Sequence, residues 1–216
     1  QVLSIMAGLL PSAYRARLST LQDRVPPRPF TEMQNAFVAS LGKLPGHSFR
    51  DIENEPVAAA SLGQVHVAHL ADGTKVAVKI LYPGIRELVR TDLRVLRFAL
   101  ALFGRFFPIG NLDVVHASLV DLLRRETDYL HEAACMKRMA ENFRGAPDIL
   151  FPQVVDALTS REVLTMSFME GIKITDLDGL RAQGIDPEAV GRRLLEAFFV
   201  QLFASPGPPG LRLRRP

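Results

Sequence analysis

A run of small residues followed by a lysine on a strand is the part of the chain best suited to chemistry. The small residues are Ala58, Ala59, Ala60 and Ser61, and Lys79 comes eighteen residues after the last of them. Small side chains let the backbone approach a ligand, and successive amide N–H groups in such a loop can surround a phosphate. If the next strand carries Lys79 back beneath the loop, its ammonium can contact nucleotide phosphates. A lysine on a strand is otherwise most often solvent-facing.

A second segment offers carboxylates that could pair with this lysine. Glu126, Asp128 and Glu132 lie in one helical pattern, with Asp128 and Glu132 four residues apart on a shared face. At 3.6 residues per turn, Glu126 lies about 120° around the helix from Glu132. A charge run on a helix is usually a solvated face, but these carboxylates sit among apolar residues. A buried carboxylate needs a cation, and Lys79 is a candidate.

Other chemistries find less support in the residue types and their spacing. The five histidines never fall in a metal-ligand spacing with one another or with the single cysteine, Cys135, so no metal site is predicted. No serine lies in a Gly-x-Ser-x-Gly context, which argues against a serine hydrolase. The chain is 48% hydrophobic and 23% charged, as in folded globular proteins. Its net charge of +3 does not favour a nucleic-acid partner.

The elements that must position these residues follow from the apolar spacing. The pattern predicts helices over 2–24, from Thr31 as N-cap to Leu41, over 113–143, and from Pro187 behind an Asp186 cap. The final helix carries an apolar stripe expected to be fully buried, including Leu194, Phe198 and Leu202. Short apolar runs predict strands over 149–155 and 163–169.

Alternating apolar residues on both sides of a turn at residues 71–73 predict a β-hairpin between residues 52 and 81. On its second strand, Lys79 shares a face with Ala77, opposite Val78 and Ile80. A helical pair, a hairpin, a long helix, further strands and a last helix give an α+β order. We therefore expect a small strand-rich lobe followed by a helical one.

Taken together, these motifs resemble those of the UbiB/AarF family of atypical kinase-like proteins, from Gln1 to about Ser205. The alanine-rich loop resembles the segment that replaces the kinase glycine-rich loop in this family. Residues 76–84 are similar to the strand of its invariant lysine and the Tyr-Pro-Gly that follows. Glu126-x-Asp128 with Glu132 resembles its Glu-x-Asp motif, residues 164–173 resemble its hinge between lobes, and Gln1 with Ser4 resembles the end of its Lys-x-Gly-Gln signature.

The resemblance implies a protein-kinase-like N-lobe with family-specific N-terminal helices and the start of a helical C-lobe. The expected boundaries are 1–50 for the N-terminal helical extension, 51–170 for the N-lobe, 171–205 for the start of the C-lobe and 206–216 for an irregular tail. It further implies that the chain binds ATP or ADP with magnesium. The family is linked to isoprenoid-quinone or lipid metabolism, so the implied partners are the adenine nucleotide and membrane lipid or quinone-biosynthesis proteins. The implied location is cytoplasmic, with peripheral membrane association as an alternative.

The resemblance also assigns roles to individual residues. Lys79 would contact the α- and β-phosphates and pair with Glu132, with Glu126 as the alternative partner. Glu126 and Asp128 would meet the N-terminal signature, and the hinge at Met166 and Phe168 would meet adenine. The alanine-rich loop, Ala58 to Ser61, would cover the phosphates.

The sequence departs from the family after the last helix, where the family places a His-Ala-Asp-Pro-His-Pro-Gly-Asn loop and then Asp-Phe-Gly. No Asp, Glu, Asn or His follows Glu196. No catalytic residue or magnesium ligand is therefore assigned, enzymatic activity is left open, and a catalytically incomplete fragment is expected. The alternatives are a non-catalytic nucleotide- or lipid-binding pseudokinase and a membrane-surface protein using Arg90, Arg94, Arg97 and Arg105. An ordinary helix packed on the core is favoured over the membrane-surface interpretation.

Overall fold

The computed structural model describes residues 26–106 and 112–204. The helix predicted over 2–24, the signature around Gln1 and Ser4, and the tail 206–216 lie outside these residues. The chain divides into two compact units. Of the described residues, the first contains 26–106, 112–135 and Gln153–Phe168, and the second contains Met136–Pro152 and 169–204.

An antiparallel sheet forms the centre of the first unit. Its strands are β1 (Asp51–Ile52), β2 (Ala58–Ala59), β3 (Gly63–His69), β4 (Lys75–Leu81) and β5 (Val163–Ser167). The order is β1-β3-β4-β5, and β2 also pairs with β3, so that β1 and β2 occupy opposite ends of the same strand edge.

The predicted hairpin is confirmed by the pairing of β3 with β4. The register runs from Gly63 opposite Leu81 to His69 opposite Lys75. The turn closes with the Gly73 amide donating to the Leu70 carbonyl at 2.9 Å, and Gly73 has a φ of 87°. This left-handed conformation favours glycine because it has no Cβ.

Seven helices are present in the described ranges 26–106 and 112–204. They are α1 (Phe30–Leu41), α2 (Pro45–Ser48), α3 (Ile85–Phe106), α4 (Leu112–Glu126), α5 (Tyr129–Asn142), α6 (Leu177–Ala182) and α7 (Pro187–Ala204), with a 3-10 turn at Asp156–Leu158. The mixed helix and antiparallel sheet architecture confirms the α+β prediction. Within residues 26–106 and 112–204, no helix is both long enough and apolar enough to cross a membrane.

One face of the sheet is closed by α1. Met33 and Phe37 of α1 are fully buried, as are Val76 and Val78 of β4 on this face. The Phe30 ring packs edge-on against His66 with 5.1 Å between ring centroids. These apolar contacts form the core of the first unit. Their burial stabilises the fold, since removing large apolar side chains from water is the main favourable term in folding.

Polar side chains on this face are buried but fully hydrogen-bonded. The Gln64 amide nitrogen donates to the Arg28 carbonyl at 3.1 Å, and its oxygen accepts from the Arg28 amide at 2.9 Å. The same nitrogen donates to Nε2 of His66 at 2.9 Å, so the proton of His66 is on Nδ1, which donates to the Glu53 carbonyl at 2.8 Å. Burial lowers the pKa of His66, against the opposing effects of that carbonyl and the charge of Glu55. His66 is therefore a neutral member of a closed network.

The prediction of one long helix over 113–143 is wrong, because the chain forms two helices here, α4 and α5. Thr127 donates its hydroxyl back to the Leu123 carbonyl at 2.8 Å and ends α4. Asp128 then accepts the Leu130 amide at 3.1 Å and caps α5. Glu126 and Glu132 consequently lie on different helices, and the angle expected between them on one helix does not apply.

Three smaller predictions also fail. Residues 149–155 form no strand apart from an isolated bridge between Val154 and Met166. Helix α1 begins at Phe30 with Pro29 at the N-cap position and no side-chain cap, so Thr31 is not the cap. The apolar stripe of α7 is not fully buried, since Leu194, Phe198 and Leu202 are between 54% and 58% exposed. The Asp186 cap is confirmed by its bonds from the Glu188 and Ala189 amides, at 3.0 and 3.2 Å.

Candidate functional site

The sheet face opposite α1 carries an ion pair between Lys79 and Glu132. The Lys79 Nζ donates to both carboxylate oxygens of Glu132, at 2.8 and 2.7 Å. The side chains are 27% and 36% exposed, so the pair lies at the edge of the core and not inside it. Alternation along β4 places Lys79 here, because Val78 and Ile80 point into the α1 face.

Tyr129 is a site residue that the sequence analysis missed. The Lys79 Nζ lies 4.6 Å from the centroid of its ring, and the tyrosine is 2% exposed. Burial raises the pKa of Tyr129 well above its ordinary value, and the charges of Glu132 and Glu126 raise it further. A neutral ring beneath a cation stabilises that cation electrostatically. The signal was available, because Tyr129 precedes Glu132 by three residues and so shares its helix face.

The other two carboxylates of the motif do not reach Lys79. Asp128 caps α5, and its carboxylate lies 3.9 Å from the Arg161 guanidinium. Glu126 is exposed at the end of α4 and has no ion pair with any described residue. The structure therefore pairs Lys79 with Glu132, as favoured, and not with Glu126. The expected contact of Glu126 and Asp128 with the N-terminal signature involves residues outside those described.

The alanine-rich segment is partly strand and partly turn. Ala58 and Ala59 form β2, and the Ala60 amide donates to the Gly63 carbonyl at 2.8 Å to close the turn. The amides of Ser61 and Leu62 make no hydrogen bond within the described part of the chain. Two backbone donors in an exposed turn are therefore available to an acceptor.

Cross-strand register puts the alanine-rich segment and the lysine in one row. Ala58 is opposite Val65, Val65 is opposite Lys79, and Lys79 is opposite Leu164. Residues directly opposite in antiparallel strands point to the same face of the sheet. Ala58, at the start of the alanine-rich segment, is thus two strand spacings from Lys79, each about 4.8 Å.

Gly63 is required where this turn enters β3. A Cβ at this position would lie 2.4 Å from the Ile80 carbonyl oxygen and 2.9 Å from the Tyr129 hydroxyl. The Ile80 carbonyl belongs to β4 and cannot move without disturbing the ladder that carries Lys79. The absence of a side chain therefore lets the turn approach the lysine strand closely.

The predicted hinge residues lie along and just beyond β5. Met166 is opposite Ala77 and shares the face of Lys79. Phe168 follows the strand, and its amide donates to the Lys75 carbonyl at 3.1 Å. The Lys75 Nζ lies over the Phe168 ring, 4.3 Å from its centroid. The face thus presents, in order along β4, a small side chain at Ala77 and then the Lys79 cation.

The single cysteine of the chain lies close to this site. Cys135 is on α5, three residues after Glu132, and is partly exposed. Its Sγ lies 3.6 Å from Nε2 of His131 on the same helix. Among the residues that the structure describes, no three histidine, cysteine or carboxylate side chains come together in a way that could hold a metal ion.

Comparison with known proteins supports the same interpretation of these motifs. The ABC1 atypical kinase-like domain matches residues 20–206. A probable serine/threonine-protein kinase abkD of Dictyostelium discoideum is 32% identical, over 94% of this chain and 29% of its own length. The chloroplastic ACTIVITY OF BC1 COMPLEX KINASE 7 of Arabidopsis thaliana is 34% identical, over 99% of this chain and 32% of its own. A probable protein kinase UbiB of Marinobacter nauticus is 34% identical, over 94% and 38%.

A solved structure has the same fold. The complex of Rv3197 with erythromycin from Mycobacterium tuberculosis superposes with a TM-score of 0.64 at 31% identity, covering 81% of this chain and 44% of that one. The chain spans between 29% and 38% of the length of the three curated relatives. Since the domain match extends over most of its residues and its relatives include a protein named UbiB, the chain belongs to the family of ABC1 atypical kinase-like domains.

Proposed function

We propose that this chain binds an adenine nucleotide on the sheet face that carries Lys79, with the lysine contacting the phosphates. The observation that carries the proposal is the bidentate ion pair in which the Lys79 Nζ lies 2.8 and 2.7 Å from the two carboxylate oxygens of Glu132. An ammonium has three donors, and two of them are used by the carboxylate. One donor is therefore left for a phosphate oxygen, on a side chain that is 27% exposed.

The surroundings of Lys79 fit a phosphate ligand. Glu132 and the ring of Tyr129 hold the ammonium in place before any ligand arrives, which reduces the entropy lost on binding. The free amides of Ser61 and Leu62 add two donors from the turn that follows β2. Such unpaired backbone N–H groups form a concave anion site. Bound nucleotide would supply the phosphate groups and their magnesium ion.

A planar base bound on the same face would lie near one small and one flexible side chain. Ala77 and Met166 are opposite each other, two residues from Lys79 and Leu164 on the same side of the sheet. Ala77 is small and Met166 is flexible and partly exposed. These side chains support the assignment of Met166 and Phe168 to the adenine end of the site.

We extend to this chain the link of the family to isoprenoid-quinone or lipid metabolism, in the cytoplasm or peripherally at a membrane. Membrane lipid or quinone-biosynthesis proteins would then be its partners. The presence of proteins named UbiB among its relatives supports this assignment. Pull-down of the chain with and without ADP would test whether nucleotide controls such a partner.

Thermal unfolding with added ATP or ADP tests the proposal. At about one hundred times Kd, a ligand adds roughly 2.7 kcal/mol to stability, which for a chain of this size raises Tm by roughly 5–10 °C. We expect Lys79→Met to abolish this rise. Lys43→Met, an exposed lysine on the loop after α1, is the matched control and should leave it unchanged.

Two results would overturn the proposal. One is a folded wild-type chain whose Tm does not respond to saturating nucleotide with or without magnesium. The other is an equal response in Lys79→Met, because binding would then not involve the lysine. Phosphate release measured in the same samples separates an ATPase from the non-catalytic binding module.

A further inference from the structure

A second group of cationic side chains, which includes neither Lys79 nor its partner Glu132, lies in the first unit. A groove of about 680 Å³ runs between α3 and α4 and is lined by six arginines: Arg86, Arg90, Arg94, Arg97, Arg124 and Arg161. Asp128 is the one carboxylate among the described residues that line it. The volume is within the range of about 300–1,000 Å³ that small-molecule sites occupy.

The arginines converge because of helical spacing. Four of them recur every three or four residues along α3, from Arg86 to Arg97, and so form one stripe. Arg124 faces them from α4, and the Nε2 of His116 joins the two helices by donating to the Leu93 carbonyl at 3.0 Å. The groove is therefore held by a specific contact between its walls.

Half of these guanidinium groups have no counter-charge among the described residues. Arg86 pairs with Glu162 at 3.7 Å, Arg90 with Glu87 at 3.5 Å, and Arg161 with Asp128 at 3.9 Å. Arg94, Arg97 and Arg124 have no ion-pair partner in the described ranges of the chain. The three side chains are exposed, and an anion placed among them would offset the repulsion between their like charges.

We propose that this groove binds a phosphorylated ligand carrying more than one negative charge. Guanidinium groups match phosphate oxygens in pairs, and several arginines around one cavity suit a polyphosphate better than a single carboxylate. Val89, Leu93 and Val120 add an apolar wall, which accommodates a ligand with a non-polar part. The shared chemistry is the phosphate group, supplied either by a free polyphosphate or by the headgroup of a lipid.

The experiment measures binding of inorganic tripolyphosphate by titration calorimetry. It uses the full chain with Lys79→Met, so that the proposed nucleotide site does not contribute. We expect Arg94→Gln/Arg97→Gln to weaken binding about tenfold or more, since charge-assisted hydrogen bonds of this kind are lost. The control Arg105→Gln/Arg138→Gln removes two exposed arginines outside the groove and should change Kd by less than about twofold.

A second variant and a second probe keep the test decisive. Arg124→Gln alters the opposite wall and serves if the double variant does not fold. Cosedimentation with phosphatidylcholine vesicles, with and without phosphatidic acid, distinguishes a lipid headgroup from a free polyphosphate. Binding of either probe that is lost in the groove variants and kept in the control supports the proposal. Absence of binding to both probes, or equal losses in groove and control variants, overturns it.

Discussion

The two faces of the sheet differ in how they satisfy their polar groups. On the α1 face, Gln64 and His66 are fully buried and every donor and acceptor between them and Arg28 is used. On the opposite face, Lys79 and Glu132 form a pair that is 27% and 36% exposed. Neutral groups are thus enclosed, whereas charged groups are left within reach of solvent.

The difference shows how one small sheet separates enclosed neutral groups from accessible charged ones. Enclosing an unpaired charge costs several kcal/mol, while enclosing a neutral hydrogen-bonded network costs little. The closed face can therefore pack at the density of a protein interior. The open face keeps a positioned cation available beside buried apolar residues such as Ala77 and Leu164, and the ion pair itself contributes little to stability because it is partly hydrated.

The contrast between the two faces predicts the largest loss of stability for a substitution at Phe37. This side chain is fully buried on the α1 face, so Phe37→Ala is expected to lower the free energy of unfolding by about 3–5 kcal/mol through lost burial and a cavity. Urea denaturation followed by circular dichroism measures the change. Phe98→Ala, at a side chain 72% exposed, is the control and should cost less than about 0.5 kcal/mol. Equal losses in the two variants would show that α1 does not close a core.

A second variant tests the backbone between the two faces. Gly63→Ala places a Cβ 2.4 Å from the Ile80 carbonyl oxygen, and we expect it to destabilise the chain by about 1–3 kcal/mol. Gly46→Ala is the control, because a Cβ there meets no atom within 4 Å. If both variants unfold at the same Tm, the close approach of β3 and β4 at Gly63 is not required for stability.

The closed network predicts a pH dependence. Burial lowers the pKa of His66, so below its unfolded pKa of about 6.5 the unfolded chain takes up a proton that the folded chain resists. Stability is therefore fully present above this pH and declines as the pH falls below it. We expect His66→Gln to flatten this decline in urea denaturation between pH 7 and 5, and exposed His47→Gln to leave it unchanged. Parallel declines in all three proteins would assign the effect to other groups.

The smallest effect is expected on the open face. A double-mutant cycle of Lys79→Met and Glu132→Gln should give a coupling energy of only about 0.2–1 kcal/mol in the absence of ligand, because both side chains are partly exposed to solvent. Thermal or urea unfolding of the four proteins measures it. A coupling of several kcal/mol would mean that this face is as closed as the other.

Much of this arrangement could be predicted from the sequence because it depends on local periodicity. Alternation along β4 predicts that Lys79 points to the face of the sheet away from Val78 and Ile80. The turn residues predict the position of the hairpin. The choice of Glu132 over Glu126 came from family resemblance, because spacing alone left both open. The pair is made by residues 53 positions apart, a contact that no local pattern specifies.

The failures share a different cause. Apolar spacing continues through residues 113–143, yet the side chains of Thr127 and Asp128 bind the backbone and end one helix and start the next. Likewise, the apolar stripe of α7 indicates which side chains could be buried but not what would cover them. Residues 149–155 are apolar enough for a strand, but their pairing with β5 is limited to one isolated bridge, between Val154 and Met166.

The position of Cys135 gives the chain a built-in attachment point for a reporter. It is the one cysteine in the sequence, and it lies one helical turn beyond Glu132 on α5. A thiol-reactive fluorophore or spin label would therefore modify one known site on the helix that holds Lys79, without any engineered substitution. Its emission or spectral width would follow the motion of α5 directly while nucleotide is added.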